Sequence, residues 1–163
     1  MSMILLGLNC MLFAQDFSKI KKIKFKETTD YAKYEPEVLQ CCDYILSSPI
    51  DYSKTDKDYA IATKFVLEWT IGTKDYSFLI DSKITAVTKS TDGLLVLYMT
   101  SATKYVLENK EKATDKEDVV YNAMLIYIEY CENTSNKVKI SGELKKMIKA
   151  KNENNLKGYL NME

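Results

Sequence analysis

The side chains able to do chemistry in this chain are carboxylates, lysines, cysteines and tyrosines. It contains no histidine, and all 23 of its basic residues are lysine. An imidazole general base, a Ser-His-Asp or Cys-His site and a histidine-bearing zinc site are therefore excluded. So is a bidentate guanidinium clamp on phosphate or carboxylate. Two carboxylates facing each other with split pKa values would still serve acid/base hydrolysis. The nearest candidates are Glu68 and Glu108, with Asp75 or Asp115 close in sequence. Glutamate is ordinarily solvated, and at a helix C-terminus it opposes the macrodipole. A nucleophile at Cys41 or Cys42 would need a lowered pKa, with no histidine to supply it. The acidic runs Asp56-Lys57-Asp58 and Asp115-Lys116-Glu117-Asp118 lack the ligand spacing of a calcium loop and sit where acids favour a helix start. No glycine-rich phosphate loop occurs. The residue types point away from catalysis, with no cofactor and no metal expected; a small carboxylate-dependent hydrolase is the alternative.

Binding chemistry has better material. Tyrosine joins an apolar ring to a polar tip, which suits both cores and recognition surfaces, and the chain has 12 of them. Tyr31, Tyr34, Tyr52 and Tyr76 fall at loops or helix starts rather than in the repeating apolar stripes, so they form a candidate binding surface or cover the ends of a helical stack. A second candidate is the basic run Lys19, Lys21, Lys22, Lys24 and Lys26, interleaved with Ile20, Ile23 and Phe25. It suits contact with an anionic lipid or polymer, or a fold back onto acidic helices. The formal net charge of zero conceals this pattern: residues 16–26 carry +4, residues 27–136 carry −8 and residues 137–162 carry +5, with Glu163 restoring neutrality. The missing arginine and acidic middle disfavour nucleic acid as a partner.

These residues must be positioned by helices, because apolar residues recur at helical spacing and hairpin-turn chemistry is scarce, with two prolines and five glycines. The spacing predicts a helix from Pro36 to before Pro49, with Val38, Leu39, Cys42, Ile45 and Leu46 inward. Thr55 and Asp58 suggest a capping box for a helix from about Asp56 to Ile71, stopped at Gly72. Residues 76–89 fit either a short helix or an extended connector. A third long helix runs from Asp92 to Asn109, with Leu94, Leu95, Tyr98, Ala102, Tyr105 and Val106 inward. Thr114 and Glu117 suggest the cap of a fourth, which carries Val120, Ala123, Met124, Tyr127 and Cys131. Ser141 can cap a last helix through Leu144, Met147 and Ile148, and Leu156 to Leu160 close the chain. The fold class is all-α, about five to seven helices in a helix-pair, solenoid-like stack or an irregular bundle. An internal echo favours the stack. Ala62-Thr63-Lys64-Phe65-Val66-Leu67-Glu68 recurs forty residues later as Ala102-Thr103-Lys104-Tyr105-Val106-Leu107-Glu108, which is the spacing of HEAT or tetratricopeptide-like units.

The N-terminal run Ile4 to Ala14 is uncharged, apolar and too short to span a bilayer. It has the length of a signal-peptide core, which assigns residues 1–14 to a signal peptide, 15–34 to a basic arm or linker and 35–163 to the helical domain. Removing such a leader takes Cys10 and leaves Cys41, Cys42 and Cys131, as three small buried apolar residues or with one of the first two paired to Cys131. The sequence resembles small exported helical proteins of Bacteroidetes bacteria, in the order Phe13-Ala14-Gln15, Tyr44-Ile45-Leu46-Ser47-Ser48-Pro49, Trp69-Thr70-Ile71-Gly72-Thr73 and Leu107-Glu108-Asn109-Lys110. The resemblance implies a helical fold and a periplasmic or extracellular location, and carries over no functional residue. The expectation is an exported binding or structural module whose partner is a protein, a peptide or an envelope polymer. Membrane contact would run through the basic arm rather than a spanning segment. If the leader is retained, an intracellular helical scaffold is the alternative.

Overall fold

The computed structural model describes residues 17–90 and 93–162, so the expected leader and Asp92 lie outside the described residues. The described chain is all-α, with no strand. In order, the helices are α1 (Phe17–Ile20), α2 (Thr28–Lys33), α3 (Glu35–Ser47), α4 (Lys57–Gly72), α5 (Ser82–Thr88), α6 (Leu94–Glu108), α7 (Lys116–Glu132), α8 (Gly142–Asn152) and α9 (Leu156–Leu160). Single 3-10 turns follow α6 and α7.

Local chemistry sets the boundaries. Pro36 sits in the first turn of α3, where a missing N–H costs nothing. The cap of α4 is Asp56, not Thr55: its carboxylate accepts from the backbone N–H groups of Asp58 and Tyr59. Asp115 likewise replaces Thr114 as the cap of α7, accepting from Glu117 and Asp118. In each Thr-Asp pair the carboxylate wins because it is the charged acceptor at the positive end of the helix. Ser141 caps α8 as its position suggests, accepting from Leu144 N–H at 3.2 Å. Residues 76–89 divide between the two options. Phe78-Leu79-Ile80 is extended, tied down where the Tyr98 hydroxyl donates to the Leu79 carbonyl at 2.9 Å, and Ile84 and Val87 are buried in α5.

The arrangement is organised by α6. Eleven of its fifteen residues are buried, so it is apolar nearly all round and has no solvent face of its own. It packs on α3, α4, α5 and α7. Leu95 is the exception to the expected inward set: it is exposed, and Leu97 is buried in its place. The N-terminal half of α6 lies in a core cluster with α5, α7, α8 and α9, through Leu97, Tyr98 and Ala102. Its C-terminal half, through Tyr105, Val106 and Leu107, lies in a second cluster with α1, α3 and α4. The hydroxyls carried into this interior are satisfied locally. Thr100 donates to the Val96 carbonyl and Ser101 to the Leu97 carbonyl, each at 2.9 Å. Thr103 shares a 2.7 Å hydrogen bond with Thr70 of α4, whose hydroxyl also lies 2.7 Å from the Val66 carbonyl.

The echoed segments occupy α4 and α6, and the alanine, aromatic and valine positions are buried in both. Their surroundings differ. α6 packs along its length against the next long helix, α7, whereas α5, which follows α4, packs on α6 and α8. One face of α4 is thereby left without a helix against it. Thr63, the counterpart of Thr103, has a solvent-shielded hydroxyl oxygen with no hydrogen-bond partner among the described residues.

Cys41, Cys42 and Cys131 are all buried; Cys42 and Cys131 are free thiols, and burial pushes the Cys131 thiol up to about 12. Tyrosines titrate late for the same reason: Tyr59, Tyr76 and Tyr105 are raised to about 12, chiefly by burial, with carboxylates adding to it.

Replacing Thr103 by Val keeps the shape and deletes the Thr70 hydrogen bond, and should cost about 1 kcal/mol in urea unfolding. Thr63→Val deletes a hydroxyl that is unpaired, and should be neutral or stabilise by up to about 1 kcal/mol. Because the tyrosine pKa values are raised on folding, their contribution is complete below about pH 10 and is lost as pH climbs through about 12. Tyrosinate absorbance and helix loss should therefore rise together in an alkaline titration; tyrosines that ionise normally with the helices intact would contradict this.

Candidate functional site

Along α4, Ala62, Phe65, Val66 and Trp69 turn into the core. A second stripe, Ala60, Thr63, Leu67 and Ile71, follows at helical spacing on another side. This stripe forms one wall of a groove of about 910 Å³. Gly93 just before α6, Val96 within it, and Ile50 with Tyr52 from the loop after α3 supply further walls, and Phe25 and Tyr31 close one end. Gly93 turns the chain into α6 with φ +91°, in the left-handed region that favours glycine. Ile71 is 78% exposed at the groove.

An aromatic stack holds the closed end. Phe25 lies between Tyr31 and Phe65, with ring centroids 4.8 and 5.0 Å away. The Trp69 indole N–H donates to the Tyr31 carbonyl at 2.9 Å, tying α2 to α4. Tyr31 then lies so close over Gly72 that a Cβ there would be 2.0 Å from its hydroxyl oxygen. Gly72 thus does more than end a helix: its missing side chain makes room for the tyrosine.

Five charged residues line the groove: Lys24, Lys54, Lys64, Asp51 and Glu68. Lys64 and Glu68 face each other one helical turn apart at 3.6 Å. Asp51 is occupied within its own loop, accepting from the Ser53 hydroxyl at 2.6 Å and the Asp56 N–H at 2.7 Å. Those hydrogen bonds hold its carboxyl below the usual range. Lys24 and Lys54 form no ion pair with a described residue.

The structure brings together Tyr31, Tyr52 and Lys24 of the sequence-selected residues, and places the others elsewhere. Tyr34 is half-buried, its ring edge-on to Phe25 at 6.2 Å and under Lys33. Tyr76 packs on Trp69 at 5.4 Å and donates to Glu35 at 3.0 Å; Glu35 also pairs with Lys110. Lys19, Lys21, Lys22 and Lys26 are exposed around a segment whose Phe17 and Ile20 are buried against α4 and its neighbours, and Lys21 borders a smaller cleft of about 280 Å³. Of the two candidate carboxylates, Glu68 lines the groove, whereas Glu108 is held by Lys104, which also grips Asp43. The residues that sequence reasoning missed are the groove stripe itself, Thr63, Leu67 and Ile71. The available signal was that α4 is apolar on two sides, one more than a single core contact requires.

Gly72→Ala should displace Tyr31 and loosen the Trp69 hydrogen bond. The gain in helix propensity is at most about 1 kcal/mol and shrinks at a helix end, so the overlap should win and cost about 1–3 kcal/mol. Denaturation followed by Trp69 fluorescence checks both the sign and the altered indole environment. Among the described residues no helix is long and apolar enough to cross a membrane, and none of the acidic and cysteine side chains cluster as a metal site. Comparison with protein-family models, curated proteins and solved structures gave no match to this chain, so the groove is interpreted from its own geometry.

Proposed function

We propose that this protein is an exported helical binding module that captures its partner in the groove beside α4 without performing chemistry on it. The observation that carries the reading is the groove's composition. It is a large, mainly aliphatic and aromatic concavity, built from four separate stretches of chain, with Ile71 exposed at it. An apolar concavity of this size with a few polar groups at its walls is the usual form of a binding site. Whether the partner is a protein, a peptide, an envelope polymer or a lipid of the envelope, it has to present an apolar group to this surface.

Hydrolysis would ask for a carboxyl held protonated at neutral pH beside a second, ionised one. The groove's Asp51 is shifted the opposite way, and its hydrogen-bonding capacity is taken up by its own loop. Glu68 has Lys64 beside it. This arrangement supports recognition rather than acid catalysis.

Fractionation with intact-mass measurement tests the export half of the proposal: the protein should be recovered from the periplasm or medium with a mass beginning near Gln15, and a cytosolic product starting at Met1 would refute it. For the groove, a photo-crosslinking residue at position 71 should trap an envelope component in living cells. The same group at position 140, another exposed isoleucine site, should not. Equal labelling at both positions would refute the groove as the capture surface.

A further inference from the structure

Taking the groove as the capture surface, we infer that its occupant is a single-chain anionic amphiphile. Its acyl chain would lie along the Thr63, Leu67 and Ile71 stripe, and its head group would be held by Lys24 and Lys54. The volume of about 910 Å³ lies in the upper part of the range of roughly 300–1,000 Å³ typical of sites for one small molecule. Burial of a hydrocarbon chain against aliphatic and aromatic walls needs no hydrogen bonds and gains about 0.8 kcal/mol for each methylene removed from water.

The charges favour an anion. Lys64 and Glu68 neutralise each other, and Asp51, which stays ionised, is bonded into its own loop by Ser53 and Asp56. The groove's remaining charges, Lys24 and Lys54 against Asp51, leave it one net positive charge, and neither lysine has an acid within ion-pair distance among the described residues. Two lysines suit a compact anionic head group, which they meet as point charges.

Other occupants fit less well. An extended peptide would press its N–H and C=O groups against aliphatic walls that offer few partners. A helical peptide is about 10–12 Å across and must be several turns long to hold together. A second copy docked groove to groove would bring the same net positive charge.

Titration calorimetry of the full chain with decanoate, below its micelle concentration, tests the inference. One saturable site is expected. Lys24→Glu with Lys54→Glu, and separately Ile71→Asp, should each weaken it at least about tenfold, and uncharged 1-decanol should bind more weakly than decanoate. Ile71 is 78% exposed, so Ile71→Asp leaves the fold intact. No saturable site, equal binding by these variants, or equal binding of the alcohol would overturn the inference. So would capture of the chain by phosphatidylglycerol vesicles, or self-association lost in Ile71→Asp, if decanoate fails to bind. In those cases position-specific labelling from residue 71 still decides separately whether the groove is the capture surface.

Discussion

The structure depends on the burial of α6. A fifteen-residue helix with eleven buried positions cannot exist alone in water, since its apolar surface and its inward hydroxyls both need neighbours. The surrounding helices are arranged to supply them. α5, α7, α8 and α9 cover the first half of α6, and α1, α3 and α4 cover the second. Thr100 and Ser101 satisfy their hydroxyls against the preceding turn, which lets α6 carry polar side chains into the interior at little cost. Thr103 is bonded outward to Thr70, which fixes α4 against α6 in rotation as well as in distance.

That fixed rotation is what creates the groove. Two helices share seven nearly identical residues, yet one became the axis of the bundle and the other one of its walls. In α6 the threonine of the shared segment is paired; in α4 its counterpart is not. With Ala62, Phe65 and Val66 committed to the core, the other side of α4 carries Leu67 and Ile71 out to a surface that no helix covers. The N-terminal segment then walls off one end through Phe25 and Tyr31, held by the Trp69 hydrogen bond and by the space over Gly72. The basic segment from Lys19 to Lys26 is thus anchored by its apolar residues while its lysines remain exposed, and Lys24 is brought to the groove.

The all-α class and the core faces were legible because Val38, Ile45, Phe65, Val66, Val120 and Met124 recur at spacings that only a helix turns to one side. Cap positions slipped by one residue at Thr55-Asp56 and Thr114-Asp115, since both members of each pair carry an acceptor oxygen and spacing alone does not rank them. Leu95 and Leu97 exchanged roles because α6 is apolar on so many sides that periodicity loses its contrast. The groove was only partly visible. Tyr31, Tyr52 and Lys24 belong to it, but Tyr34 and Tyr76 are equally tyrosines near helix starts and serve packing instead. Which tyrosine faces a cavity depends on contacts between segments far apart in sequence, such as Tyr31 over Gly72, and no local pattern encodes those.

If α6 is the axis on which both core clusters depend, its amides should be the last to exchange with solvent. Native-state hydrogen exchange resolved by residue is the most direct measurement. The two halves of α6, Leu97–Ala102 and Tyr105–Leu107, should exchange only through global unfolding, with the same free energy and the same denaturant dependence. Exchange of either half through a smaller opening, with the other half still protected, would show two independently stable clusters and contradict the account.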